Sequence, residues 1–356
     1  MSKKRKKIKK SKFRKIIIIF FILLLLGGFG MAYQLYSNIY QPNTVLLNDT
    51  DEYIYIPTGS NFDDVLRMLS EKGVLININS FRWVAKQKKY HFNIKSGRFK
   101  ISQDFSNNDL VNLLRSGEQE PINITFNNIR TKEEFAHKVC SYLEIDSSSL
   151  LQYINDTIFL KQHNLNSYNV ACLFIPNTYQ LYWDISVKEF IERMIIEYNE
   201  FWNENRINLA NEQGLSRNEV SILASIVEKE QNIKFDERPM IAGLYLNRIR
   251  KKMKLESDPT LIFALGDFSI NRVLNKDKKV ESIFNTYKHK GLPPGPICIP
   301  SINAIDAVLN STDHSYIFMC AKEDFSGYHN FATTYRKHLR NARKYQKALN
   351  KRKIMR

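Results

Sequence analysis

Two carboxylates close an apolar segment of this chain, and an acid in such a place can do proton chemistry. The segment reads Ser216-Arg-Asn-Glu219-Val-Ser-Ile-Leu-Ala-Ser-Ile-Val-Glu228-Lys-Glu230. A carboxyl group held among apolar side chains keeps its proton to higher pH, because burial disfavours the charged form. It can then donate that proton near neutrality, as a general acid must. Ser216 and Glu219 have capping-box spacing, so a helix is predicted to start there. At 100° per residue Val220, Leu223, Ala224, Ile226 and Val227 form one broad apolar stripe. Glu230 falls inside that stripe. Glu228 falls toward its edge, which predicts a more solvated carboxylate and makes it the rival acid. The plain alternative for Glu230 is a carboxylate at a frayed helix end, reaching into water.

Other chemistries lack a motif. The sequence has no H-E-x-x-H, no phosphate-cradling glycine-rich loop and no G-x-S-x-G. Cys140, Cys172, Cys298 and Cys320 are widely spaced without a C-x-x-C, which excludes the familiar zinc and thioredoxin patterns. Cys172 and Cys320 sit among apolar neighbours and read as core residues. In an oxidising compartment a disulfide stays open as an alternative. No metal and no cofactor is expected.

The elements that must position the acid begin with a membrane segment. The first fifteen residues carry ten Lys or Arg and no acid, and Ile16 to Tyr36 then runs twenty-one residues without a charge. A helix of about 20 apolar residues spans a bilayer, and the basic flank belongs on the cytoplasmic side. The reading is a single-pass signal anchor over 16–36, with a basic tail at 1–15 inside and everything after the span outside. A cleaved signal peptide competes, but no A-x-A-like site follows the span.

The net charge of +17 would suggest nucleic acid. Its distribution argues otherwise. Ten positive charges lie in the first fifteen residues and ten more in Arg336 to Arg356, leaving 33 basic and 36 acidic residues in the body. No nucleic-acid partner is expected, and the basic C-terminal run reads as a solvated helix.

The exterior part begins with small units of strand plus capped helix, an α+β signature. Tyr53 to Ile56 alternates as a strand, and Ser60-x-x-Asp63 caps a helix ending before Gly73. A second helix is expected over Ser80 to Lys88. Gly97 to Ile101 reads as a strand, and Ser106-x-x-Asp109 caps a helix stopping at Gly117. Ile122 to Phe126 is strand-like, and Thr131-x-x-Glu134 caps another helix. From Leu173 the chain becomes mostly helical. Helices are expected over Val187 to Asn203, up to Glu230, from Glu237-Arg-Pro239, from Asp258-Pro259 with Asp258 as N-cap, and after Ser301. Gly291-Leu-Pro-Pro-Gly-Pro296 is a stiff loop that would wall a cleft, and Tyr316 to Ala321 is a strand. Arg248 lies on an apolar stripe, which suggests a buried ion pair with Glu237.

At these residues the chain resembles the YceG-like (MltG) family, the membrane-anchored endolytic murein transglycosylases. The matching stretches run in order: Phe174-Ile-Pro-Asn-Thr-Tyr179, Leu223 to Glu230, Glu237-Arg-Pro239, Leu246-Asn-Arg248, Ser257-Asp-Pro-Thr260, Asn285-Thr-Tyr287, Gly291 to Pro296 and Gly327-x-His329-x-Phe331. The chain departs from the family pattern at Asn127 to Arg130, at Ile299-Pro300-Ser301 and at Lys337-His338-Leu339. The resemblance implies a LysM-like α+β portion at 37–120, a mostly helical catalytic domain with short strands at 121–345, and a basic tail at 346–356. The family's catalytic Glu maps onto Glu230.

The implied substrate is the glycan strand of peptidoglycan, cut within nascent chains at the bond after N-acetylmuramic acid (MurNAc) without water. The 6-hydroxyl of that sugar attacks its own anomeric carbon and leaves a 1,6-anhydro end. Placement in the cytoplasmic (inner) membrane and peptidoglycan synthases as partners follow from the same resemblance. A non-catalytic glycan binder and a hydrolytic muramidase are the alternatives, and the hydrolase would need a second carboxylate. Asn247, Asn285 and Tyr287 are candidate hydrogen-bonding groups for sugar hydroxyls or acetamides, with structural roles as the alternative. His329 is a candidate cleft residue or a satisfied structural histidine.

Overall fold

The computed structural model describes residues 2–46, 52–270 and 272–352, with side chains from residue 12 onward. Asp49 and the tail end at Lys353 to Arg356 lie outside the described residues. The chain divides into two compact units, Met1–Ile122 with Tyr182–Asp184, and Asn123–Leu181 with Ile185–Arg356.

The first unit begins with α1 (Ser2–Tyr40). Its stretch Lys12–Tyr40 is the one described helix long and apolar enough to cross a membrane, and none of its most apolar window is buried in the protein. Strand β1 (Glu52–Ile56), helices α2 (Phe62–Glu71) and α3 (Ile78–Gln87), strand β2 (Gly97–Ile101) and α4 (Asn107–Ser116) follow. β1 and β2 pair antiparallel, from Glu52 opposite Ile101 to Ile56 opposite Gly97. Alternation sends Ile54, Ile56, Phe99 and Ile101 into a core with Val65, Leu69, Phe81 and Leu110.

Two helix starts differ from expectation. Asn61, not Ser60, caps α2, accepting from Asp63 N and Asp64 N while Asp64 returns a bond to Asn61 N. Ser60 is already committed to a turn, its N–H on the Pro57 carbonyl, and Asn caps as well as Ser does. Helix α3 starts earlier than Ser80 because Asn77 accepts from Asn79 N and Ser80 N.

The second unit holds β3 (Ile122–Thr125, whose first residue closes the first unit), α5 (Lys132–Cys140), α6 (Ser147–Ile154), α7 (Thr157–Gln162), β4 (Thr178–Leu181), α8 (Val187–Phe201) and α9 (Glu204–Glu212). Then come α10 (Arg217–Glu230), α11 (Arg238–Arg250), α12 (Asp258–Leu265), α13 (Ile302–Leu309), β5 (Phe318–Ala321), β6 (His329–Ala332) and α14 (Tyr335–Lys351). This is an α+β fold, strongly helical, with three separate two-stranded sheets among the described residues.

Helix α10 starts with the expected capping box, Ser216 with Glu219. It is not amphipathic, because every residue from Val220 to Glu228 is buried. Helices α9, α11, α12 and α13 pack around it, so it forms the core rather than floats on it. In α11, Gly243 lets the backbone carbonyl of Thr312 approach so closely that a Cβ there would lie 2.3 Å from it.

The Pro-rich loop at Gly291 to Pro296 does not wall the cleft around Glu230. A Cβ on Gly295 would lie 1.9 Å from the Tyr168 carbonyl. Just beyond, Ile297 N–H donates to Ser225 Oγ at 3.0 Å, stitching the loop onto α10. All four cysteines are free. Cys172 and Cys298 are buried, whereas Cys320, expected in the core, is half-buried on β5.

Candidate active site

Helix α10 delivers Glu230 to the floor of a cavity of ≈ 570 Å³ within the second unit, a size suited to a small ligand or a sugar residue. Asp258, Tyr287, His329, Tyr335 and His338 also line it. Glu230 is crowded by protein yet keeps partial exposure. Both its close bonds fall on one oxygen. The Tyr245 hydroxyl, from α11, donates to Oε1 at 2.6 Å. The Ser257 hydroxyl, at the cap of α12, donates to the same Oε1 at 2.6 Å.

Burial pushes the Glu230 carboxyl above its ordinary range, and the Asp258 charge adds to that. The two hydroxyl donors and the His329 ring oppose it without cancelling it. Tyr245 is held well above the usual phenol range, chiefly by burial and then by the Glu230 charge, so it stays a donor. The other oxygen, Oε2, has no close protein donor among the described residues.

Glu228 does not sit at a solvated edge. It is 6% exposed, against partial exposure for Glu230. Ser301 N–H donates to its Oε2 at 2.7 Å, and Lys229 Nζ lies 3.8 Å away. Glu228 thus ties α10 to the start of α13 and is not among the cavity residues.

The expected Arg248–Glu237 pair is absent among the described residues. Arg248 donates to the Ile317, Lys254 and Leu255 carbonyls and pairs with Glu256 at 3.1 Å. Glu237 faces the other way. Its Oε2 contacts His329 Nδ1 at 2.7 Å and accepts from Gln231 Nε2 at 2.7 Å, while its Oε1 accepts the His329 N–H at 2.8 Å. Burial alone would raise the Glu237 carboxyl, but these bonds outweigh it and hold the group below its ordinary range. His329 is therefore anchored at its backbone and at one ring nitrogen while it lines the cavity.

The remaining sequence candidates separate. Tyr287 lines the cavity, and its hydroxyl donates to Asp258 Oδ1 at 2.6 Å. Asp258 is not a capping group, because Ser257 occupies the N-cap position of α12. Asn247 and Asn285 do not line the cavity. Asn247 donates to the His314 and Tyr316 carbonyls. Asn285, fully buried, donates to the Lys278 and Val280 carbonyls and accepts from Tyr287 N. His338, at a position departing from the family pattern, stacks on Phe318 at 5.3 Å, and burial lowers its pKa.

Sequence reasoning missed Tyr245 and Ser257. Tyr245 has Ile241, Leu244 and Ile249 near it on its helix, and a buried Tyr needs a partner for its hydroxyl, which was the available signal. Ser257 carried only its place in the stretch Ser257 to Thr260 that resembles the family. No group of three or more His, Cys, Asp or Glu side chains suited to a metal occurs among the described residues.

Known proteins resemble this chain over most of its length. A family model described as the YceG-like family matches residues 54–344. The endolytic murein transglycosylase of Bacillus subtilis is 26% identical over 318 residues, covering 83% of this chain and 85% of its own length. That of Streptococcus pneumoniae is 26% identical over 296 residues, covering 75% of this chain. The chain spans about half, 53%, of that relative's length. The crystal structure of a yceG-like protein from Listeria monocytogenes superposes with a TM-score of 0.54 at 25% identity, covering 82% of this chain and 98% of that one.

Proposed function

This chain belongs to the YceG-like family, and on that premise we propose that it is an endolytic peptidoglycan transglycosylase with Glu230 as its acid and base. The observation that carries the reading is the asymmetric seating of Glu230. One oxygen takes two hydroxyl donors, the other has no close protein donor among the described residues, and the residue lines a cavity. The proton on Oε2 passes to the glycosidic oxygen between MurNAc and N-acetylglucosamine (GlcNAc), and the C1–O bond breaks. Tyr245 and Ser257 stabilise the carboxylate left behind. The C6 hydroxyl of the same MurNAc then bonds to C1, and Glu230 takes its proton back. No water is consumed and the acid is regenerated. The nucleophile belongs to the substrate, at high effective concentration. That explains how one carboxyl group can serve both steps.

Residues 16–36, within the apolar stretch of α1, cross the cytoplasmic membrane, with the basic 1–15 inside and everything after the span outside. Residues 37–120 are the LysM-like portion and 121–345 the catalytic domain. Nascent glycan made by membrane synthases is the strand that is cut, which would end its elongation.

Asp258 gives the hydrolytic reading a specific footing, since it lines the same cavity. Its Oδ1 is occupied by the Tyr287 hydroxyl, which favours a positioning role. Mass spectrometry of glycan digested by the full chain in detergent separates the readings. Anhydro ends from the parent and from Asp258→Asn, with none from Glu230→Gln, are expected. Reducing ends that vanish in Asp258→Asn would make the chain a hydrolase. Glycan bound but uncut by the parent would make it a binding protein.

A further inference from the structure

Helix α14 carries a charge pattern that the reaction does not use. Arg336, Arg340, Arg343, Lys344, Lys347 and Lys351 fall within roughly a 100° arc at helical spacing, and all are exposed. Between Arg336 and Lys351 there is no Asp or Glu. At 1.5 Å per residue the stripe is about 22 Å long. The opposite face, His338, Ala342, Tyr345 and Leu349, is half-buried. There His338 stacks on Phe318 of β5 and Tyr345 meets Phe325 at 5.9 Å. The basic stripe thus points away from the body of its unit. Lys344 has a loose partner, Glu323 at 3.7 Å, and the other five have no acidic partner among the described residues.

A face that served solubility alone would mix both signs. This one places like charges at i,i+4 in four pairs, 336/340, 340/344, 343/347 and 347/351, an arrangement that works against an isolated helix. An external anion removes that conflict. We propose that this face of α14 lies on the headgroups of an anionic lipid bilayer.

Three features select a lipid surface over a soluble polyanion. The stripe is straight and convex, with no groove to hold a polymer. It carries no apolar side chain, so it suits adsorption to headgroups rather than insertion. The span proposed for α1, on which this inference partly rests, keeps the chain at a bilayer. Because Tyr335 and His338 of the same helix line the Glu230 cavity, adsorption would fix how that cavity meets strands emerging at the membrane.

The test is amine footprinting of the full chain reconstituted in phosphatidylcholine vesicles, with or without phosphatidylglycerol. A water-soluble acylating reagent labels lysines, and mass spectrometry reads Lys344, Lys347 and Lys351 against Lys188, which is exposed on α8. Labelling of the three should fall several-fold on phosphatidylglycerol vesicles only, and return at 1 M salt, where screening shortens to about 3 Å. The variant Arg336→Gln/Arg340→Gln/Arg343→Gln keeps the reporter lysines. Each cation near an anionic surface contributes roughly fivefold, so this variant should adsorb on the order of a hundredfold more weakly and label as on neutral vesicles. Equal labelling of the parent on both vesicles overturns the proposal. Protection that appears only with added soluble poly(glycerol phosphate) overturns it in favour of a polymer. Retention on vesicles after a high-salt wash reports the α1 anchor separately, so the two readings can fail independently.

Discussion

Replacing Tyr245 with Phe removes one of the two hydroxyls on Glu230 Oε1 and leaves the ring in its buried site, 2% exposed. The near-isosteric change keeps the packing. A hydrogen bond to a charged group is worth about 1.5–3 kcal/mol and one to a neutral group about 0.5–1.5. The carboxylate therefore loses roughly 1–1.5 kcal/mol more than the protonated acid does. At 1.36 kcal/mol per unit, the Glu230 pKa should rise by about one further unit. Glu230 must be protonated to start the reaction, so the alkaline limb of kcat/KM should move up by about one pH unit. The plateau rate should fall about five- to tenfold, because the carboxylate formed as the bond breaks has lost a donor. Initial rates of anhydro-end formation across a pH series, for parent and variant, measure both effects. A limb that stays in place or moves down would refute the idea that this hydroxyl sets the acid. Ser257→Ala should shift it in the same direction, and the pair should not add, since both donors share one oxygen.

Other consequences follow from the same contacts. Because burial holds the Glu230 pKa above the carboxyl's ordinary 4.5, the folded chain binds this proton more tightly than the unfolded chain. Stability present at acid pH is then lost as pH rises through the folded pKa. Glu230→Gln should abolish cleavage while its melting temperature gains on the parent's from acid to neutral pH; a gain that shrinks instead would contradict the burial. Gly243→Ala should destabilise by about 1–3 kcal/mol in denaturant melts despite the ~1 kcal/mol helix preference for Ala, because the Thr312 carbonyl blocks the new methyl. Asn285→Ala should cost about 2–4 kcal/mol, since it leaves the Lys278 and Val280 carbonyls and Tyr287 N without their partner. A variant as stable as the parent but weak in glycan binding would instead return Asn285 to the substrate.

Helix starts were legible where the signal is local. Ser106 with Asp109 and Ser216 with Glu219 both form capping boxes whose partners lie three residues apart. Position around α10 was not legible, because the stripe argument assumes a helix with one wet face and this one is enclosed. Glu230 was selected by a stripe that does not exist as such. Its carboxyl is perturbed by tertiary burial, against which Tyr245 and Ser257, 15 and 27 residues on, act as donors. Glu228 and Arg248 failed for the same cause. Most of their close partners, Ser301 N for Glu228 and the Ile317, Lys254 and Leu255 carbonyls for Arg248, are backbone groups, which leave no trace in side-chain spacing. Asp258 shows the converse: a residue that looked like a cap stands in the cavity because its neighbour Ser257 took the cap position.

The end of α1 gives the first unit a mechanical character. The helix runs unbroken to Tyr40, and Asn107 Nδ2 donates to the Asn38 carbonyl at 2.8 Å and to Ser80 Oγ at 2.9 Å. Asn43 then bonds Asn107 Oδ1 at 2.6 Å and the Asn77 carbonyl at 3.0 Å. The stalk is thus spliced into the first unit through α3 and α4, with no slack between them. A leashed domain sweeps a hemisphere of positions, whereas a spliced one inherits the tilt and height of its stalk. With the span seated in a bilayer as proposed, the first unit works as a gauge held at one elevation. Lengthening α1 by one turn would raise it by about 5.4 Å and rotate it little, whereas adding two residues would swing it by about 200° around the stalk axis.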